Sequence, residues 1–177
     1  ISYLQYNCVL GECSVGINPH GVDWMLMHKE LTSFSDNFVQ GDYGAFDKVL
    51  PYQLIESVYG FFRDFYNDDH EVERYTLYLS LFSCYRLAGK QVYKPLGGNP
   101  SGNPLTVIIN SLCNMMLVRL AYFSMYPFRT LPVSSSLMIK VYGDDLVMGV
   151  SQDSPEFTFR SFKQFLNHAG LDFKEPK

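Results

Sequence analysis

The sequence predicts an α+β fold in which an antiparallel sheet is backed by helices. Three observations carry that prediction. Apolar residues recur at helical spacing in some segments and alternate or cluster around turn residues in others, without regular strand–helix alternation. Two apolar runs, Leu137 to Tyr142 and Leu146 to Val150, flank Gly143-Asp144 as the arms of a hairpin. The 177 residues are also 47% hydrophobic, which supports one sizeable core and excludes a disordered chain.

Taken in order, residues 1–20 carry Gly11, Gly16 and Pro19 with little periodicity, and predict loop with short extended pieces. A helix is expected from about Asp23 to Phe34, with Trp24, Leu26, Met27 and Leu31 on its apolar side. Asn37 to Asp42 is short and alternating, a strand. Pro51 then stands where a helix can begin, and Leu54, Ile55, Val58, Phe61, Phe62 and Phe65 follow at helical spacing. Asn67 to His70 is a polar turn, and a second helix runs to about Leu81. Cys84 to Leu87 and Gln91 to Tyr93 flank Ala88-Gly89-Lys90 as a hairpin, followed by the loop Gly97 to Gly102. Asn103 and Pro104 suit the cap and first position of a long helix to about Ser124, with Leu105, Ile108, Ile109, Leu112, Met116 and Leu120 inward. Asn110, Ser111, Asn114 and Arg119 interrupt its apolar run, so it reads as a buried helix rather than a bilayer span. After the hairpin, Ser154-Pro155 opens a helix that Gly170 closes, before an extended piece at Leu171 to Lys174.

Charge and cysteine use narrow the function classes. Charged residues are 18%, and 14 Lys+Arg against 18 Asp+Glu give −4, which disfavours a binder with its own broad basic face for nucleic acid. Aromatics are plentiful, with 14 Phe, 13 Tyr and 1 Trp. Four cysteines do not make a disulfide scaffold, and the gaps among Cys8, Cys13, His20 and His28 are wider than a structural zinc site favours. Ile1 to Leu10 has neither the basic start nor the apolar run of a signal peptide. The chain reads as a piece of something longer.

Chemistry concentrates in three places. Asp144-Asp145 puts two adjacent carboxylates at the tip of an apolar hairpin, where they raise each other's pKa and serve no folding need. A divalent cation resolves that conflict, since Mg²⁺ takes carboxylate oxygens while keeping waters and substrate phosphates. Asp42 closes a strand and Asp47 follows just before a helix; pairing that strand beside the hairpin brings Asp42 to Asp144, the arrangement a two-metal phosphoryl displacement uses. Third, Ser101-Gly102 lie in a Gly/Pro-rich loop ahead of a helix on which Thr106, Asn110 and Asn114 form one polar stripe. Asp68-Asp69, in a polar turn without apolar arms, reads as plain surface.

The order DYGAFD, GGNPSGNPLTVIIN, YGDD resembles motifs A, B and C of viral RNA-dependent RNA polymerases of picorna-like positive-strand RNA viruses, and VGINPHGVDW is similar to the segment before motif A. The resemblance runs from about Val15 to the end. It implies a polymerase palm, with residues 1–177 as a single palm-type domain and residues about 83–100 as a fingers-like hairpin and loop. It also implies nucleotidyl transfer from ribonucleoside triphosphates to an RNA 3′-hydroxyl, using two Mg²⁺ ions with Mn²⁺ as a substitute. By the same resemblance Asp42 and Asp144 hold the metals and Asp145 supports them. Asp47 and Asn110 recognise the ribose 2′-hydroxyl with Thr106 assisting, and Ser101 and Gly102 contact template and nucleotide. The last segment is similar to motif D, whose lysine protonates the departing pyrophosphate; Lys177 is the choice and Lys174 the rival.

The implied partners are RNA template and primer, ribonucleoside triphosphates, the remaining fingers and thumb of the same polymerase, and other viral replication proteins. The implied place is the host-cell cytoplasm, at membrane-associated replication complexes. No basic cluster precedes Asp42 and no thumb follows Lys177, so the piece alone is expected to be inactive, to expose apolar patches and to be poorly soluble. A reverse transcriptase shares the metal aspartates, but Asp47 with Asn110 suits a 2′-hydroxyl and favours ribonucleotides. A non-catalytic palm-like module would not need Asp42, Asp144 and Asp145 intact.

Overall fold

The computed structural model describes residues 2–95 and 97–175. In chain order the helices are α1 (Ser2–Tyr6), α2 (Val22–Phe34), α3 (Phe46–Val49), α4 (Tyr52–Tyr66), α5 (Glu71–Phe82), α6 (Thr106–Met125) and α7 (Phe159–His168). The strands are β1 (Phe38–Tyr43), β2 (Arg86–Ala88), β3 (Gln91–Tyr93), β4 (Leu137–Tyr142), β5 (Asp145–Val150) and β6 (Phe173–Lys174). Mixed helix and antiparallel sheet is the α+β architecture that the sequence predicts.

The main sheet has the order β4-β5-β1-β6, with every neighbour antiparallel. The arms of the predicted hairpin pair without slippage from Leu137↔Val150 to Tyr142↔Asp145. A continuous apolar strand is what a sheet buried on both faces requires. On β4, Leu137, Ile139 and Val141 enter the core that α6 shares, while Lys140, on the opposite face, reaches Glu30 of α2. On β1 burial alternates, so Val39 and Tyr43 enter the core and Asp42 faces outward. Gly41 has a specific reason to lack a side chain: a Cβ there would run into the Phe173 ring and stand 2.7 Å from the Lys174 carbonyl oxygen. That close approach lets β6 pair with the end of β1, Asp42↔Lys174 and Tyr43↔Phe173.

Behind the sheet, α6 is the one described helix long and apolar enough to cross a membrane, and it is core instead: Cys113, Val118, Ala121 and Tyr122 are fully buried. The β2–β3 hairpin stands apart from the main sheet and exposes Tyr85, Leu87 and Val92, fulfilling the expectation of uncovered apolar surface.

Several boundaries differ from the sequence reading. The first residues form the short helix α1, with none of them buried, so no periodicity announced it. In α2 Met27 and Leu31 face inward, but Trp24 and Leu26 are exposed; in α4 Phe61 and Phe65 are exposed, and in α6 Leu120. The long helix begins at Thr106, because Asn103 first closes a turn in which its Oδ1 accepts the Leu105 N–H at 3.0 Å. The last long helix begins at Phe159 rather than at Ser154-Pro155. Thr158 and Ser161 form a reciprocal capping box there, each side-chain oxygen accepting the other's backbone N–H at 3.2 and 2.9 Å. The cysteines are free, and no group of three or more His, Cys, Asp or Glu among the described residues is gathered as a metal cage, so Cys8, Cys13, His20 and His28 make no zinc site.

Candidate active site

The register that builds the sheet also assembles the carboxylates. Gly41 pairs with Leu146, so the next residue of β1, Asp42, stands level with Asp145 at the start of β5. Asp144 occupies the turn joining β4 to β5, preceded by Gly143 at φ 64°, the left-handed backbone a tight hairpin turn asks for at its first central position. After Gly44, Ala45 is also left-handed (φ 53°), and this bend seats Phe46 in the core and returns the chain so that Asp47 joins the group. The electrostatics record the convergence. The Asp144 carboxyl is held above the ordinary carboxylate range by burial and by the charges of Asp42 and Asp47. Asp145 is raised by desolvation and by Asp144 and Asp42. Among the described residues no Lys, Arg or His pairs with any of the four.

Like charges gathered without a cation are the donor set of a hard divalent ion. The protein supplies no closed cage among the described residues. A divalent ion at such a site would be held by one or two carboxylates and would complete its shell with water and substrate phosphates.

The turn bearing Asp144 is fixed from below by α6. The Gly143 N–H donates to Ser111 Oγ at 2.8 Å, and Ser111 donates in turn to the Val107 carbonyl at 2.7 Å. Asn114 Nδ2 donates to the carbonyls of Gly143 (3.3 Å) and Asp144 (3.2 Å). Its Oδ1 accepts the Tyr43 hydroxyl at 3.0 Å, so β1, α6 and the hairpin tip are joined in one chain of bonds. Burial first, and the Asp144 charge second, push the Tyr43 hydroxyl up, so it stays protonated and donates.

The loop before α6 is tied to both sides of the site. Asn99 donates its N–H to the Asp47 carbonyl at 2.6 Å, and its Nδ2 to Asn110 Oδ1 at 2.8 Å and the Thr106 carbonyl at 3.1 Å. Thr106 gives its hydroxyl proton to the Pro100 carbonyl at 2.6 Å, so it holds the loop and has only lone pairs left to offer a ligand. Ser101 and Gly102 are exposed at the loop's crest, with open space around Gly102. Lys174, opposite Asp42 in register, pairs with Asp172 at 2.8 Å; that bond, and then the Asp42 charge, raise its pKa. Lys177 lies outside the described residues. An apolar cavity of about 190 Å³ between α4, α5 and α6, lined by Val58, Tyr59, Tyr78 and Ile109, contains no carboxylate and is separate from this site.

The family model for viral RNA-dependent RNA polymerase matches residues 1–177. The chain belongs to the viral RNA-dependent RNA polymerase family. It is similar to the RNA1 polyprotein of Tomato ringspot virus (isolate raspberry), 32% identical over 157 residues. It also resembles those of Tomato black ring virus (strain MJ), 33% over 156 residues, and Grapevine chrome mosaic virus, 34% over 160 residues. These matches cover 88%, 84% and 85% of the chain but 7% of each polyprotein, so the chain corresponds to a small part of its relatives.

Within this member of the family, Asp42, Asp47, Asp144 and Asp145 come together, and Thr106 and Asn110 meet the loop that carries Ser101 and Gly102. Sequence reasoning singled out Asn114 only as part of a polar stripe, and it missed Tyr43, Asn99 and Ser111 as members of the site. A signal existed for Ser111, a buried polar residue beside Asn110 on an apolar helix. None existed for Asn99, whose partner lies eleven residues away across an irregular loop.

Proposed function

We propose that this chain carries the catalytic centre for template-directed RNA synthesis, transferring a nucleotidyl group from a ribonucleoside triphosphate to an RNA 3′-hydroxyl. The observation that supports it most is the convergence of four carboxylates, unpaired among the described residues, on one hairpin tip and strand end. Asp42 and Asp144 would hold two Mg²⁺ ions, or Mn²⁺ in their place, with Asp145 supporting them. When bound, such ions supply charge stabilisation and alignment for in-line displacement at the α-phosphate. Asp47 and Asn110 read the ribose 2′-hydroxyl, Thr106 shapes the loop, and Ser101 and Gly102 meet template and nucleotide. A lysine of the 170–177 turn protonates the departing pyrophosphate: Lys177 is the first choice, because Lys174 is engaged with Asp172.

Residues 1–177 act as the palm, with 83–100 as a strip of fingers. RNA template and primer, the rest of the polymerase and other viral replication proteins are its partners, at membrane-associated replication complexes in the host cytoplasm. In the full-length polymerase, Asp144→Asn is expected to lower primer extension by at least about a hundredfold while leaving the circular dichroism spectrum unchanged. Near-normal turnover in that variant overturns the assignment.

A further inference from the structure

We propose that Asn99 is a positioning residue that fixes the polarity of the Asn110 amide, and thereby sets how strongly the site prefers ribose to deoxyribose; the inference rests on the reading of Asp47 and Asn110 above. Asn99 is 2% exposed, and both hydrogens of its amide nitrogen are used, one on the Thr106 carbonyl and one on Asn110 Oδ1. The Thr106 partner is a backbone carbonyl, which can only accept. Asn99 therefore cannot turn its amide over without setting oxygen against oxygen. With Asn99 oriented by the backbone, the Asn110 atom that faces it must be the oxygen. Asn110 is left with its NH₂, which makes no hydrogen bond to the described residues.

The consequence is chemical. A carboxylate at Asp47 offers acceptors, and Asn110 so held offers donors. A hydroxyl both accepts and donates, so the two together complement a 2′-hydroxyl; an Asn110 turned over would present acceptors alone. A deoxyribose leaves both groups without their partner. Asn99 is also bonded to the other half of the pair, through its N–H to the Asp47 carbonyl at 2.6 Å. Its own Oδ1 is buried with no partner among the described residues, a cost that packing alone would not favour and that the two Nδ2 bonds account for.

The test is made in the full-length polymerase, comparing kcat/KM for a ribonucleoside triphosphate and its 2′-deoxy counterpart in single-nucleotide primer extension. Because the preference is a ratio within one enzyme preparation, loss of folded protein cancels. Asn99→Asp keeps the shape but offers only acceptors, so Asn110 turns over and the ribose preference falls roughly tenfold or more. Asn99→Leu frees Asn110 without forcing it over, and the preference falls by less. Should Asn99→Asp fail to fold, the Asn99→Leu ratio carries the test alone. If the Asn99 variants slow both substrates equally and keep the wild-type ratio while Asn110→Ala loses it, the reading of Asp47 and Asn110 stands and the role of Asn99 is overturned. If Asn110→Ala also keeps the ratio, the reading itself falls.

Discussion

Asp144 concentrates the electrostatic strain of the site. Its folded pKa is raised, by burial first and then by Asp42 and Asp47, so ionising it costs the folded state more than the unfolded one. That cost is absent below the ordinary carboxylate range and fully present once the pH exceeds the raised value, so stability falls as pH rises through the interval. Asp144→Asn is therefore expected to raise the thermal midpoint of the divalent-free polymerase near neutral pH, with the gain fading at about pH 3.5. Melting curves at both pH values check it, and an unchanged or lower midpoint at neutral pH contradicts it. Asp68 has the opposite sign: its hydrogen bond to Arg74 holds it down to about 2, so its small contribution is present above the ordinary range and lost as pH falls towards 2. At this scale the acidic residues were legible because adjacent carboxylates at an apolar hairpin tip have no folding purpose. Asn99 was not, because its partners are fixed only once the irregular loop before α6 is folded against the helix.

Between elements, the strongest link is the clamp from α6 onto the β4–β5 turn. Ser111→Ala removes the acceptor of the buried Gly143 N–H and is expected to cost about 1–3 kcal/mol in chemical denaturation. Tyr43→Phe loses a neutral hydrogen bond to Asn114 and costs about 1 kcal/mol. Both variants should lower kcat with little change in nucleotide KM, since they displace Asp144 rather than the residues proposed to read the ribose; a rise in KM alone would place the clamp elsewhere. The hairpin, the β1 strand and the long helix were readable because each carries its own periodicity or turn signal. Helix starts were not, where two candidate caps compete: Asn103 and Ser154 close turns, and the helices begin only at Thr106 and at Phe159, the latter capped by Thr158. The pairing of β6 with β1 was invisible for a different reason. It depends on Gly41 admitting the Phe173 ring, a contact made across 132 residues of chain.

Across the whole molecule, the N-terminal segment closes the free edge of the sheet. The Val141 N–H donates to the Glu12 carbonyl and the Ser14 N–H to the Val141 carbonyl, each at 2.8 Å, and Arg119 on α6 pairs with Glu12 at 2.7 Å. Beneath the segment Lys140 is 3% exposed, and its ammonium meets the Val9 carbonyl at 2.6 Å, the Gly11 carbonyl at 3.0 Å and the Glu30 carboxylate at 2.7 Å. Two hydrogen bonds to carbonyls and one ion pair let a single side chain fasten segment, sheet and α2 together. Lys140→Met keeps the length but strands a carboxylate and two carbonyls, and breaking such a pair costs about 3 kcal/mol or more. Glu30→Gln leaves Lys140 its two carbonyls and should cost less. Combining Lys140→Met with Glu30→Gln should cost less than the sum of the single changes, because the second removes the charge the first leaves unpaired. Urea denaturation gives the energies, and limited proteolysis gives the location: cleavage between residues 8 and 14 should precede global unfolding in Lys140→Met. If that segment stays as protected as in the wild type, the edge is held by its backbone bonds and by Arg119, and Lys140 does not fasten it.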